Sequence, residues 1–275
     1  MVSLSLAGEA AQQRAMTGGR YVVMPFFRGG APIAEGPRWG MTLRAAGSMR
    51  FRWDETNDQR TQLLAEICAR TAADVPLVPV PLELIHSKKV YAVASVVDTY
   101  RKTGDGIITT NAALLPVVTV ADCVPIFLYD AVQGVFGVVH SGWRGTGIVA
   151  EAIVRAEKIY GSRPRDFSIA FGPHIRECCY AVPADRAAYF RESFSAECVT
   201  ARDGQFFVSL ERANRAVLRR CGVPDANIVC ATDCTCCETV FGSFRREAAA
   251  CGARHAETAD ELPAFTVQAA FCGAV

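Results

Sequence analysis

The chain has 275 residues, 51% of them hydrophobic, with 29 Lys plus Arg against 28 Asp plus Glu and a formal net charge of +1. That balance lacks the basic footprint of a nucleic-acid-binding domain and favours work on small molecules, while the length suffices for a substantial core. The first 19 residues carry Glu9 but no basic stretch, and no apolar run long enough for a signal sequence or a membrane span. Residues 1–19 are therefore expected to be a mobile start, and residues 20–275 a single domain of a cytoplasmic protein that meets no membrane. Twelve cysteines include the adjacent pairs Cys178-Cys179 and Cys236-Cys237. In a large chain without an export signal, reduced thiols are the expectation.

Strand-like pieces from Tyr21 to Phe27, Thr42 to Ala46 and Met49 to Trp53 alternate with Gly- and Pro-containing turns. The stripe Leu63, Leu64, Ile67 and Cys68 predicts a helix from about Asn57 to Ala72, packed on a sheet. Pro76, Pro79 and Pro81 forbid regular pairing until Leu84, and Val90 to Val97 then reads as a strand with His86 at its entrance. Thr103 to Thr109 is a glycine-punctuated turn leading into a strand, where Asp105 is either a turn residue or a polar site group. Leu115 to Val120, Val124 to Tyr129 and Val135 to Val139 read as buried strands. The glycine-rich turn after His140 leads into a helix marked by Ile148, Ala152, Ile153, Ala156 and Ile159, with Thr146 as N-cap and Gly161 as stop. Such a helix start can hold an anion, and Arg144 can add a fork of donors. A strand from Asp166 to Phe171, helices from about Pro183 to Phe194 and from Ser209 to Cys221, and a strand from Asn227 to Thr232 complete the order.

If Val124 to Tyr129 and Val135 to Val139 pair antiparallel, Cys123 and His140 reach the same sheet edge. Together with His86 they make a thiolate and two imidazoles, a set that suits zinc with an open fourth position. The same residues also fit a metal-free thiol hydrolase, with Cys123 as nucleophile and His140 as base. A third reading makes Cys123 a packed apolar residue and His140 a hydrogen-bonded strand end. Spacing leaves all three open. Cys230, Cys234, Cys236 and Cys237 invite a zinc-ribbon reading, but no second Cys-x-x-Cys completes it, and His174 with Cys178-Cys179 reads as packed or pocket-lining.

Six segments in order carry a wider resemblance: Ile85-His86-Ser87, Asp105-Gly106-Ile107-Ile108-Thr109, Ala121-Asp122-Cys123-Val124-Pro125, His140-Ser141-Gly142-Trp143-Arg144-Gly145, Gly172-Pro173-His174-Ile175 and Phe241-Gly242-Ser243-Phe244-Arg245-Arg246. From about Gly40 to Phe271 the chain resembles the YfiH family, the laccase-domain or multicopper polyphenol oxidase-like family of purine nucleoside phosphorylases. Leu84 and Ser87 stand where that family usually has Gln and Gly. The resemblance implies an α/β (α+β) fold, a central β-sandwich-like core of mixed sheets flanked by helices, similar to the catalytic domain of deamidating bacterial toxins. It implies catalytic zinc on His86, Cys123 and His140, with copper as the alternative cofactor. The implied reactions are phosphorolysis of adenosine, inosine, guanosine and methylthioadenosine, together with adenosine deamination, so purine nucleosides and phosphate are the expected partners. A polyphenol oxidase and an amidase acting on peptidoglycan precursors are the alternative enzymes, and a purine-binding protein without turnover is the alternative of another class. Oxygen reduction by laccases normally needs several coppers and more histidines than the four present here. For phosphate, Arg144, Arg245 and Arg246 are the candidate charge-balancing residues. Asp105 is a candidate substrate contact, and Asp122 or Asp105 a candidate proton carrier in deamination.

Overall fold

The computed structural model describes residues 2–70, 76–250 and 265–275. His255 and the expected helix end at Ala72 lie outside them. Two mixed sheets stack face to face, and helices cover their outer faces. The larger sheet has seven strands in the order Val2–Leu4, Ile228–Ala231, Phe167–Phe171, Val124–Asp130, Val135–Ser141, Gly106–Thr109 and Val90–Ala92. The five-stranded sheet runs Tyr21–Pro25, Arg38–Thr42, Gln268–Gly273, Leu114–Val120 and Val78–Pro81. The last pairs parallel with Leu114–Val120, against the expectation that its prolines forbid pairing, because it lies at the sheet's edge.

The unbroken apolar runs of Val124–Asp130 and Val135–Ser141 follow from burial on both faces. Phe127, Phe136 and Val138 point between the sheets toward Trp39, Met41 and Cys272, and the Trp39 and Phe127 rings stack at 4.9 Å. Ile126, Leu128 and Val139 point the other way, under the helices Ile148–Tyr160 and Leu210–Cys221. The helix Asp58–Cys68 covers the smaller sheet through Leu63, Leu64 and Ile67 against Leu115, Val117 and Phe271. Each large side chain buried this way contributes about 1.5–3 kcal/mol. No helix among the described residues is long and apolar enough to cross a membrane.

Several local expectations are corrected. Residues 1–19 were expected to be mobile, yet Val2–Leu4 joins the larger sheet parallel to Ile228–Ala231, and the helix Leu6–Gln12 follows with Leu6 fully buried. Its start is held by Asp233, which accepts from Ser5 Oγ and from the N–H groups of Leu6 and Ala7. In place of strands at Thr42 to Ala46 and Met49 to Trp53, the chain pairs over Arg38–Thr42, makes a 3-10 turn at Arg44–Ala46 and then runs irregularly. Phe51 and Trp53 meet edge to face in this irregular stretch. The strand from Val90 stops at Ala92, because Ser95 and Asp98 form a capping box for a 3-10 turn at Val96–Thr99. Thr146 does not cap the helix Ile148–Tyr160. Gly147 takes that place at φ 92°, its N–H donating to buried Asn214 Oδ1, while Thr146 Oγ1 turns back to Gly142 O.

One edge of the larger sheet gathers the functional elements. Antiparallel pairing of Val124–Asp130 with both Val135–Ser141 and Phe167–Phe171, and parallel pairing of Phe167–Phe171 with Ile228–Ala231, fixes this. The start of the first strand and the ends of the other three share that edge.

Candidate metal centre and its pocket

Pro125 pairs with His140 across the central hairpin, so Cys123, two residues before Pro125, lies beside the strand end that carries His140. His86 arrives from a separate loop in a left-handed conformation, φ 58°, which is strained for any residue with a Cβ. Asp105 holds it there. The buried carboxylate accepts the His86 N–H at Oδ1 (2.9 Å) and both the Ser87 N–H and hydroxyl at Oδ2 (2.6 Å each). Oδ1 also meets His140 Nδ1 at 2.9 Å, which turns the other ring nitrogen of His140 toward the thiol. Metal-ligating imidazoles are held in this way by a carboxylate on the far nitrogen.

One donor atom from each of His86, Cys123 and His140 lies within 4.8 Å of the others. His86 is exposed, Cys123 half-buried and His140 only 2% exposed, so the set has a closed back and an open front. Gly142 completes the back: a Cβ there would stand 3.0 Å from Cys123 Sγ and 3.4 Å from the His86 ring.

Burial pushes the Cys123 thiol up, but His140 and then His86 more than offset it and bring it down to about 6. Burial pushes the His140 imidazole down, whereas the Cys123 thiolate and the Asp105 carboxylate raise it to about 10. In protein stripped of metal, alkylation of Cys123 by iodoacetamide, followed by peptide mass spectrometry, is therefore expected to rise with pH through a midpoint near 6. The thiolate is the reactive form, so the rate falls on the acid side. A midpoint at the ordinary thiol value of about 8.5 would show that the imidazoles do not hold the thiolate.

The centre forms the floor of a cavity of about 580 Å³. Trp143, Tyr180, Phe51, Phe244 and Phe265 make aromatic walls, and Arg50, Arg52, Arg144, Arg186 and Arg245 bring positive charge. The Arg144 and Arg186 guanidinium groups lie 5.0 and 4.3 Å from the Trp143 ring centre. Neither makes an ion pair among the described residues, while Arg50 and Arg52 are paired with Glu55 and Glu83.

Of the residues expected at the site, the structure brings His86, Cys123, His140, Arg144 and Arg245 to this cavity. Arg245 is partly engaged, donating to the carbonyls of Cys179 and Ala181. Arg246 is not there: its guanidinium donates to the carbonyls of Thr235, Cys236, Glu238 and Phe241 and ties that loop together. Asp105 is likewise no substrate contact, being fully buried behind the histidines. Asp122 borders the cavity at φ 78°, but its oxygens accept from Thr235 Oγ1 and the Arg245 N–H, both at 2.6 Å, so it positions Cys123. His174 is 1% exposed with Nδ1 on Gly172 O, away from the cavity. Arg186, Tyr180, Arg50 and Arg52 were not singled out from the sequence. An arginine on the helix Ala184–Ser193 carries no local mark of a site, and an Arg-Phe-Arg run at 50–52 signals one only once the fold places it over the cavity.

Fold and donor set together define an α/β sandwich with an open candidate metal centre of two imidazoles and a thiol. The chain belongs to the family described as multi-copper polyphenol oxidoreductase laccase, which matches residues 41–258. It is 37% identical over 152 residues to a purine nucleoside phosphorylase of Deinococcus radiodurans, covering 54% of this chain and 58% of that protein. It is 38% identical over 148 residues to adenosine deaminase RL5 of an unknown prokaryotic organism, covering 52% and 56%. The matched stretch thus spans a little over half the length of these curated relatives. The crystal structure of YlmD from Geobacillus stearothermophilus superposes with a TM-score of 0.73 at 28% identity, covering 91% of this chain and 96% of that one. The hypothetical protein YfiH of Bacillus licheniformis, at 23% identity and a TM-score of 0.72 over 87% and 93%, shares the fold.

Proposed function

We propose that the chain is a zinc-dependent purine nucleoside phosphorylase that also deaminates adenosine, working in the reducing cytoplasm. The observation that carries this reading is a thiol and two imidazoles at the floor of an aromatic cavity bearing two arginines without ion-pair partners among the described residues. Relatives named for both reactions support it.

The donor set fits zinc: one soft thiolate, two borderline imidazoles and room for a fourth ligand on the open side. When bound, the metal would supply Lewis-acid polarisation of an oxygen of phosphate, ribose or water. The remaining work falls to the protein's own residues. Tyr180, Trp143 and the phenylalanine walls would hold the flat base and exclude water, and Arg144 and Arg186 would bind phosphate through charge-assisted bonds. In phosphorolysis a phosphate oxygen bonds to the anomeric carbon as the carbon–nitrogen bond breaks, giving ribose 1-phosphate and free base. In deamination water replaces the exocyclic amine, giving inosine and ammonia. Copper would suit the same three donors, but oxygen reduction of the laccase type uses more copper sites than four histidines support.

The test is chromatography of adenosine and inosine incubated with zinc-loaded protein, with and without phosphate. Phosphate-dependent release of base and ribose 1-phosphate is expected, along with some inosine from adenosine in its absence. Survival of both nucleosides would overturn the reading. Arg144→Ala and Arg186→Ala are each expected to raise KM for phosphate about 10- to 100-fold, the loss of a charge-assisted bond of about 1.5–3 kcal/mol. Unchanged KM in both would place the phosphate elsewhere.

A further inference from the structure

Cys178, Cys179, Cys234 and Cys237 converge on one point, every Sγ within 4.8 Å of the others. None of the four lines the cavity. Their meeting follows from the sheet: Phe167–Phe171 and Ile228–Ala231 are parallel neighbours, so the loops after them leave the same edge side by side. A bridge between His174 and Cys234 and a Thr235 N–H to His174 O bond hold those loops together.

The sulfur spacing carries the chemistry. Cys237 Sγ lies 3.7 Å from Cys178 Sγ and 3.4 Å from Cys179 Sγ. Four thiolates about 2.3 Å from a central zinc stand about 3.8 Å apart, whereas a disulfide brings two sulfurs to about 2.05 Å. Cys234 and Cys237 form a Cys-x-x-Cys turn, and the Arg176 N–H donates to Cys234 Sγ at 3.4 Å, a bond that suits a metal-bound thiolate. Cys234 is buried while Cys178 and Cys237 are exposed, so the cluster has an anchored floor and an open entry.

We propose that these four cysteines form a second, structural zinc site, separate from the His86, Cys123 and His140 centre. Four protein donors leave no open position, so its work is mechanical. The first loop carries Ile175 and Tyr180 to the cavity wall, and its Cys179 carbonyl receives Arg245. The second carries Thr235, whose hydroxyl bonds the Asp122 carboxylate next to Cys123. An ion joining the two loops clamps one wall of the pocket and braces the residue before the catalytic thiol. The proposal does not depend on which reaction the pocket performs.

The test uses the full chain purified under reducing conditions. Elemental analysis is expected to find about two zinc ions per chain. Cys234→Ser with Cys237→Ser should lose about one, and so should Cys123→Ala, each keeping the other. Cobalt loaded into Cys123→Ala protein should then show thiolate-to-cobalt charge-transfer absorption, which no thiolate of the pocket centre supplies in that variant. Should the double variant fail to fold, wild-type protein decides: zinc should protect all four cysteines from iodoacetamide as a set, and a chelator should expose them together. Zinc content unchanged by the double variant, an iron-containing cluster, a disulfide among the four after reducing purification, or alkylation unchanged by zinc would each overturn the site. A single zinc lost only in Cys234→Ser with Cys237→Ser would leave it standing and count against the pocket centre.

Discussion

Cys123→Ala is expected to remove the metal from the pocket floor and to slow nucleoside turnover by at least about 100-fold, the upper end of what losing a group one layer behind the ligands costs. The thiolate is the anionic member of the three donors, and without it two neutral imidazoles remain, one of them on an exposed, strained loop residue. Alanine keeps the Cβ and leaves the Asp122 bonds to Thr235 and Arg245 in place, so a native-like circular dichroism spectrum is expected. Metal content should fall by about one ion per chain. A nucleophilic role for Cys123 without metal predicts the same loss of turnover but unchanged metal content, so the two measurements together separate the readings. Full content with full turnover would sink the ligand assignment.

Asp105→Asn is expected to weaken metal binding by about 10- to 100-fold and to destabilise the fold by about 1–3 kcal/mol. Four donors point at the Asp105 oxygens: the His86 N–H, the Ser87 N–H and hydroxyl, and His140 Nδ1. An amide offers one oxygen. If that oxygen faces His140, the amide nitrogen meets the Ser87 N–H, and two donors clash in a buried place. If it faces Ser87, the amide nitrogen meets the His86 N–H and donates to His140 Nδ1, which moves the imidazole proton to the nitrogen that should ligate. The first orientation harms the loop that carries His86, and the second harms both the loop and the ligand. Zinc competition with a chromogenic chelator and thermal unfolding check the two effects, and wild-type values in both would show that Asp105 does not position the histidines. The Ser87 hydroxyl adds a further bond to the same carboxylate.

The meeting of Cys123 with His140 was legible because it lies on a hairpin, whereas His86 comes from a separate loop. Two apolar runs, a short turn and antiparallel pairing place Cys123 next to His140 without knowledge of the rest of the fold. The helices Ile148–Tyr160 and Leu210–Cys221 were legible for a similar local reason, an apolar stripe closed by a glycine in the left-handed region. What stayed hidden depends on contacts distant in sequence. Val2–Leu4 is three residues long and becomes a strand only because Ile228–Ala231 offers it an edge. Arg246 and Arg245 are adjacent in the sequence, yet one ties a loop and the other reaches the cavity, a difference set by tertiary packing. Cysteine spacing fails for the same reason: the partner of the Cys234-x-x-Cys237 turn is the adjacent pair Cys178-Cys179, brought over by a parallel strand pairing.

The position of Gln268–Gly273 bears on how the protein is made. It is the middle strand of five, between Arg38–Thr42 and Leu114–Val120, although both neighbours are translated long before it. A nascent chain that has not yet produced it carries two pairs of strands with bare inner edges, the arrangement most open to pairing with another molecule. Closure of the smaller sheet is therefore a late, long-range event, and such events are slow. Soluble yield should accordingly respond to slower synthesis and to chaperones acting on the ribosome-bound chain more strongly than the stability of the finished fold would suggest.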